Sequence, residues 1–205
     1  MNTYCRHPVH RILRPLALVC LSLAAPLVAT AADEQAAAST DRSFHPPLRR
    51  DSSPLVKRVR RATARYQDIN VLASDPTWVQ ATPCVSGPNE GAMGIHMLKT
   101  DRLHDGALNA DEPEALIYEP LSNGAFRLVG VEFIVLASEW ADKHPAPEGP
   151  ATAVLDGHLT NLVDAPNRYG LPAFYELHVW AWEDNPNGNF ADWNTRVSCD
   201  KQRAP

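Results

Sequence analysis

The spacing of apolar side chains switches period along this chain, and each switch marks an element. From Leu55 to Ala73, apolar residues recur at three- and four-residue steps: Leu55, Val56, Val59, Ala62, Tyr66, Ile69 and Ala73. That period predicts an amphipathic helix. Ser52-Ser53-Pro54 supplies its start, since serine caps well and proline suits the first turn. Asp75-Pro76 supplies its end. After Pro76 the period drops to two. Strands are expected over 77–85, 92–98, 115–119, 126–136 and 174–182, where Val, Ile, Phe, Tyr and Trp gather. Between the last two runs a proline-rich excursion, 138–172, long enough to suggest a functional loop or lid. One helical turn is expected within it at 138–143.

A helix followed by short-linked strands places the chain in the α+β class. The expected architecture is an N-terminal amphipathic helix packed on a curved antiparallel sheet or partial β-barrel. The other face of that helix is basic, with Lys57, Arg58, Arg60, Arg61 and Arg65. Such a stripe is the ordinary solvated side of an amphipathic helix.

The first residues change the picture. Arg6, Arg11 and Arg14 precede an apolar run from Leu16 to Ala31, and Ala29-Thr30-Ala31 offers small residues for cleavage. This order reads as a secretory signal over 1–31. The run is short for a membrane span and Pro26 interrupts it, so no membrane anchor is expected after cleavage. Residues 32–50, rich in Ala, Ser, Thr and Asp, read as a disordered leader. A single globular domain is then expected over 51–205, in the periplasm or secreted. Without the three signal arginines, 16 of the 19 basic side chains face 24 acidic ones, a net charge near −8. That balance argues against nucleic acid or an anionic membrane as partner. Cleavage also removes Cys5 and Cys20. The remaining pair, Cys84 and Cys199, is expected to form a disulfide in an oxidising compartment.

Strand alternation sorts the polar residues onto faces. His96 shares a face with Ala92, Gly94 and Leu98. Glu132 shares one with Leu128, Gly130 and Ile134, and His178 with Glu176, Trp180 and Trp182. Glu119 closes its strand beside Pro120. Ionisable groups in the middle of apolar strands need partners, because a lone buried charge is costly. Mutual placement of His96, Glu132 and His178, with Glu119 at the edge, meets that need. Two imidazoles with one or two carboxylates form a donor set for a divalent metal ion, zinc or a redox metal. Gly94 and Gly130 stand two residues before His96 and Glu132, leaving room for a ligand or a bulky neighbour. Trp180 and Trp182 read either as core or as the wall of a pocket for a small molecule. The stretch 183–189, Glu-Asp-Asn-Pro-Asn-Gly-Asn, reads as a loop capped by Asn side chains. Ser86, Ser138 and Ser198 carry no nucleophile motif such as G-x-S-x-G.

Several segments occur together in order: Gly91-Ala92-Met93-Gly94-Ile95-His96, Tyr118-Glu119-Pro120, Leu128 to Phe133, Leu177-His178-Val179-Trp180, Asn185 to Phe190 and Val197-Ser198-Cys199. The set resembles a family of small exported bacterial proteins of uncharacterised function. The resemblance spans roughly 55–199 and brings no activity, cofactor or catalytic residue. Among metal-binding families the nearest comparison is a cupin, whose strand His-x-His pair is here Ile95-His96-Met97. Three readings therefore stand open. One is an exported metal-binding protein, enzymatic or not, using His96, Glu119, Glu132 and His178. Another is a non-catalytic small-ligand or cell-envelope binding module, its pocket walled by Trp180 and Trp182. The third is an internal His–Glu network in a protein that works through a partner surface.

Overall fold

Proline in the first turn and the stripe Leu55, Val56 and Val59 begin an α-helix, α1 (Pro54–Thr63). It is shorter than the periodicity predicts. Asp68 takes an extended backbone and its carboxylate accepts the Asn70 N–H. The chain runs as 3-10 turns on either side, Ala64–Gln67 and Ile69–Ser74. A short acidic side chain that competes for backbone donors favours such a break over a helix interior. Leu55, Val56, Val59 and Tyr66 nevertheless share one apolar cluster with Leu116, Tyr118, Val131, Phe133 and Val179. These positions come from a computed structural model, which describes residues 53–147, 149 and 151–202. The signal over 1–31 and the leader over 32–50 lie outside the described residues.

The strand expected over 77–85 is two short ones, β1 (Trp78–Gln80) and β2 (Val85–Gly87). Both pair antiparallel with β3 (Gly91–Lys99). Pro83 lies in the gap between them and has no N–H to give the ladder. Next come β4 (Ala115–Pro120), β5 (Phe126–Leu136) and a short helix, α2 (Ala137–Lys143). The hairpin β6 (Val154–Leu155) and β7 (His158–Leu159) follows, then β8 (Asn161–Val163) and β9 (Phe174–Val179). The described part of the excursion thus holds α2, the β6–β7 hairpin and β8, which pairs with β9.

The strands other than β6 and β7 form one antiparallel sheet in the order β1-β3-β4-β5-β9-β8, with β2 on β3 as well. The sheet is not closed into a barrel; β1 and β8 remain its edges. Opposite Ile117 and Tyr118, β5 carries one extra residue: Ile117 pairs with Gly130 and Tyr118 with Leu128. Such a bulge moves the following side chains to the other face. Leu128 therefore joins the α1-side cluster with Val131 and Phe133, away from the Glu132 face that simple alternation gave it. Behind Glu132 lie two other apolar groups. One holds Leu98, Ala115, Ile134 and Phe174; the other holds Ala92, Ile117, Val129, Trp180 and Val197. Cys84 and Cys199 lie at disulfide distance, with Cα atoms 5.6 Å apart, and join the β1–β2 gap to the C-terminal chain. The basic side of α1 is partly engaged within the molecule, Arg58 with Asp111 and Asp156 and Arg60 with the Ala181 carbonyl.

Glu114, just ahead of β4, is buried, and its Oε2 accepts the Ile134 N–H at 2.9 Å. Burial lifts its pKa to about 8, against a backbone bond that pulls it down. The folded-state value lies above the unfolded one, so the folded chain holds the proton more tightly. Stability from this group is complete below about pH 4.5 and is lost as pH rises toward 8. Glu114→Gln keeps an acceptor for Ile134 and removes the titration. Urea unfolding of both proteins across this window should show the variant gaining on the parent by up to about 1.4 kcal/mol per pH unit. A pH-independent difference between them would contradict the assignment.

Candidate metal centre

Three strands bring the predicted imidazoles and one carboxylate together. β5 and β9 set Glu132 directly opposite His178. β3 sets His96 opposite Ile117, which in turn faces Gly130, two residues from Glu132. Relative exposures are 1% for His96 and 0% for Glu132 and His178. His96 Nε2 lies 3.4 Å from Glu132 Oε2, and the two imidazoles meet edge-on with centroids 5.9 Å apart. One donor atom from each residue lies within 4.8 Å of the other two. Ligand atoms around a four-coordinate zinc stand about 3.3–3.6 Å apart, given bonds of about 2.0–2.2 Å. The His96–Glu132 edge already has that spacing.

These atoms are short of partners. His96 Nε2 and both ring nitrogens of His178 have no hydrogen bond, and Glu132 has none beyond the proton it shares with Glu176. Native interiors rarely tolerate such groups without a reason, and an ion is one. His96 is held from behind. The break between β1 and β2 turns Thr82 inward, where its Oγ1 accepts the His96 N–H at 3.3 Å and lies 3.1 Å from Nδ1. With Nδ1 engaged there, Nε2 is the nitrogen left for Glu132 or a metal, the arrangement by which outer partners orient ligating imidazoles.

The electrostatics of the two imidazoles fit the same use. Burial, then Arg168, lowers His96 to about 3. Burial, then His96 and Arg168, lowers His178 to about 3. Both rings are neutral at pH 7, the form that ligates metals. Burial raises Glu132 well above the usual carboxylate range, and Glu176 adds to this by accepting the Glu132 proton. Burial likewise raises Glu176 and Asp192.

Glu176 and Asp192 extend the centre. With His178 they form a second group whose donor atoms lie within the same 4.8 Å. His178 Nδ1 is 3.8 Å from Asp192 Oδ1. Glu176 had a visible signal, two residues before His178 on one strand; Asp192, in a loop, had none. Nor did Thr82, Arg168 or Tyr169. From the 138–172 excursion comes Tyr169, whose ring meets His96 edge-on at 5.7 Å. Arg168 lies beside it, 5.6 Å over the Trp193 ring. Asp192 is the more exposed member, at 35% of its side chain.

Other candidates lie elsewhere. Glu119 is not part of the converging set. Its Oε2 accepts from Arg127 at 2.5 Å and its Oε1 accepts the Ser198 N–H at 3.0 Å. The glycines do not leave space for a ligand. A Cβ on Gly94 (φ +105°) would sit 2.7 Å from the Tyr118 carbonyl oxygen, and one on Gly130 would sit 3.0 Å from that of Val179 and 3.3 Å from Trp180. Their role is close strand approach. Trp180 is wholly buried, with its indole N–H on the Ala191 carbonyl, so it walls no open pocket. Trp182 falls past the end of β9 and leaves the His178 face. Its indole N–H donates to Thr63 of α1 at 3.0 Å, and its ring packs on the α1-side cluster. The 183–189 loop is closed by its asparagines: Asn185 donates to the Trp193 carbonyl and Asn189 to that of Trp180. No family model, curated protein or solved structure matches this chain.

Proposed function

We propose that this chain is an exported protein that binds one divalent transition-metal ion through His96, Glu132 and His178, with Glu176 and Asp192 beside the ion. One observation carries the reading: three buried side chains converge, with ring nitrogens that have no hydrogen bond aimed at a carboxyl whose other partner is Glu176. A set of two imidazoles and one carboxylate suits zinc or ferrous iron. It leaves a further coordination position, which Glu176 or Asp192 could fill. Export rests on the N-terminal pattern and agrees with the paired Cys84 and Cys199. Among the described residues no helix is long and apolar enough to cross a membrane.

The test recovers the full chain from the extracytoplasmic fraction of a bacterial host, strips it with chelator, reloads it with zinc and measures metal by elemental analysis. The expected result is about one ion per chain for the parent, near zero for His96→Ala and His178→Ala, and no change for Glu119→Gln. A folded parent chain that retains no zinc or ferrous iron would overturn the metal reading. Retention of the protein in the cytoplasm would overturn export.

A further inference from the structure

We propose that the cavity between the β1–β2 break and the β4–β5 turn binds a small apolar molecule bearing one negative charge, an aryl or alkyl carboxylate. The cavity measures about 520 Å³, within the range of pockets that enclose small organic ligands. Its lining is mainly apolar, with Ile95, Pro120, Leu121 and Phe126. Phe126 keeps 36% of its surface exposed, so an aromatic face stands in water that a ligand would displace. Among the described lining residues Lys201 alone is charged. A cavity whose one charge is positive, in a chain of net charge −5, selects for an anionic end.

The wall that carries Lys201 is fixed in place. The Cys84–Cys199 pair ties it to the sheet edge. Gln202 Oε1 accepts the Cys84 N–H at 2.9 Å, and the Gln202 N–H donates to the Cys199 carbonyl at 2.9 Å. Ser198 is pinned to Glu119 from the other side. A rigid apolar floor with one cation on a tethered wall is pre-organised for binding, which lowers the entropy lost on association. The cavity is distinct from the buried His/Glu centre, and Thr82 stands between them: it lines the cavity while its hydroxyl holds His96.

The test titrates the oxidised full chain calorimetrically with 4-phenylbutyrate, with 4-phenylbutan-1-ol as the uncharged control. Saturable one-to-one binding of the acid is expected, with the alcohol weaker by about tenfold, equivalent to about 1.4 kcal/mol. Lys201→Gln should bring acid and alcohol to the same weak affinity. Ala125→Trp, at an exposed position in the lining, should abolish both while leaving the melting temperature unchanged. Three results would each overturn the proposal: no saturable binding up to millimolar acid, equal affinity for acid and alcohol in the parent, or titrations unaltered by either substitution.

Discussion

Removing the Cys84–Cys199 link is expected to lower the free energy of unfolding by about 4–5 kcal/mol, the size that chain entropy gives for a loop this long. The link spans 115 residues and so encloses most of the sheet. Without it the unfolded chain gains the conformations that the closed loop denied it, while the folded state loses few contacts. Nearby, Val197 stays packed with Ala92 and Trp180, and Ala92 and Asn194 exchange backbone hydrogen bonds at 3.1 Å. The effect therefore falls mainly on the unfolded side. A Cys84→Ser, Cys199→Ser double variant, compared with the oxidised parent by urea unfolding, should show a lower midpoint with a folded baseline unchanged in its near-ultraviolet signal. Labelling of the denatured, unreduced parent should find neither cysteine free. A midpoint that barely moves would mean that the C-terminal chain is held by its packing alone.

The long strands were legible because their apolar runs are dense enough to mark β3, β4, β5 and β9 whichever face is counted. Phase also brought His96, Glu132 and His178 to one face, since period-two alternation holds along a strand until a bulge intervenes. Where one does intervene, the reading failed. Nothing in Leu128-Val129-Gly130 says that Val129 will be the extra residue, yet that residue sends Leu128 to the α1 side. Trp182 was misplaced for a related reason: β9 ends at Val179, and alternation carried past a strand end assigns faces that no longer exist. Glu119 has the phase of the site and sits at the far end of β4, where Arg127 and Ser198 satisfy it. Position along the strand, which phase does not encode, decided that residue. Asp192, Arg168 and Tyr169 reach the centre from loops, and loop residues have no period to read.

In the metal-free chain, Glu132→Leu is expected to leave the free energy of unfolding within about 1 kcal/mol of the parent, while abolishing the stabilisation that zinc gives the parent. The reasoning starts from cost. Glu132 is fully buried on a central strand, and as a carboxylate neither oxygen meets a donor. Its proton, shared with Glu176, relieves only part of that burden. Ala115 pairs with it across the ladder and Ile134 lies two residues on, but His96 stands 3.4 Å from it and Glu176 shares its proton, so leucine sheds a buried carboxyl and leaves those two groups without it. Replacing a whole buried polar set by apolar side chains is commonly neutral or stabilising, whereas removing one member leaves the others unsatisfied, and here the two effects offset. The parent should then gain from zinc what the variant cannot. At free zinc one hundred times the dissociation constant, linkage supplies about 2.7 kcal/mol. For a domain of this size that is roughly 5–10 °C in melting temperature. Thermal unfolding of parent and variant, each with zinc and with chelator, separates the alternatives. If Glu132 instead completes a structural hydrogen-bond network, the leucine variant will lose several kcal/mol, and zinc will leave both melting temperatures where they were.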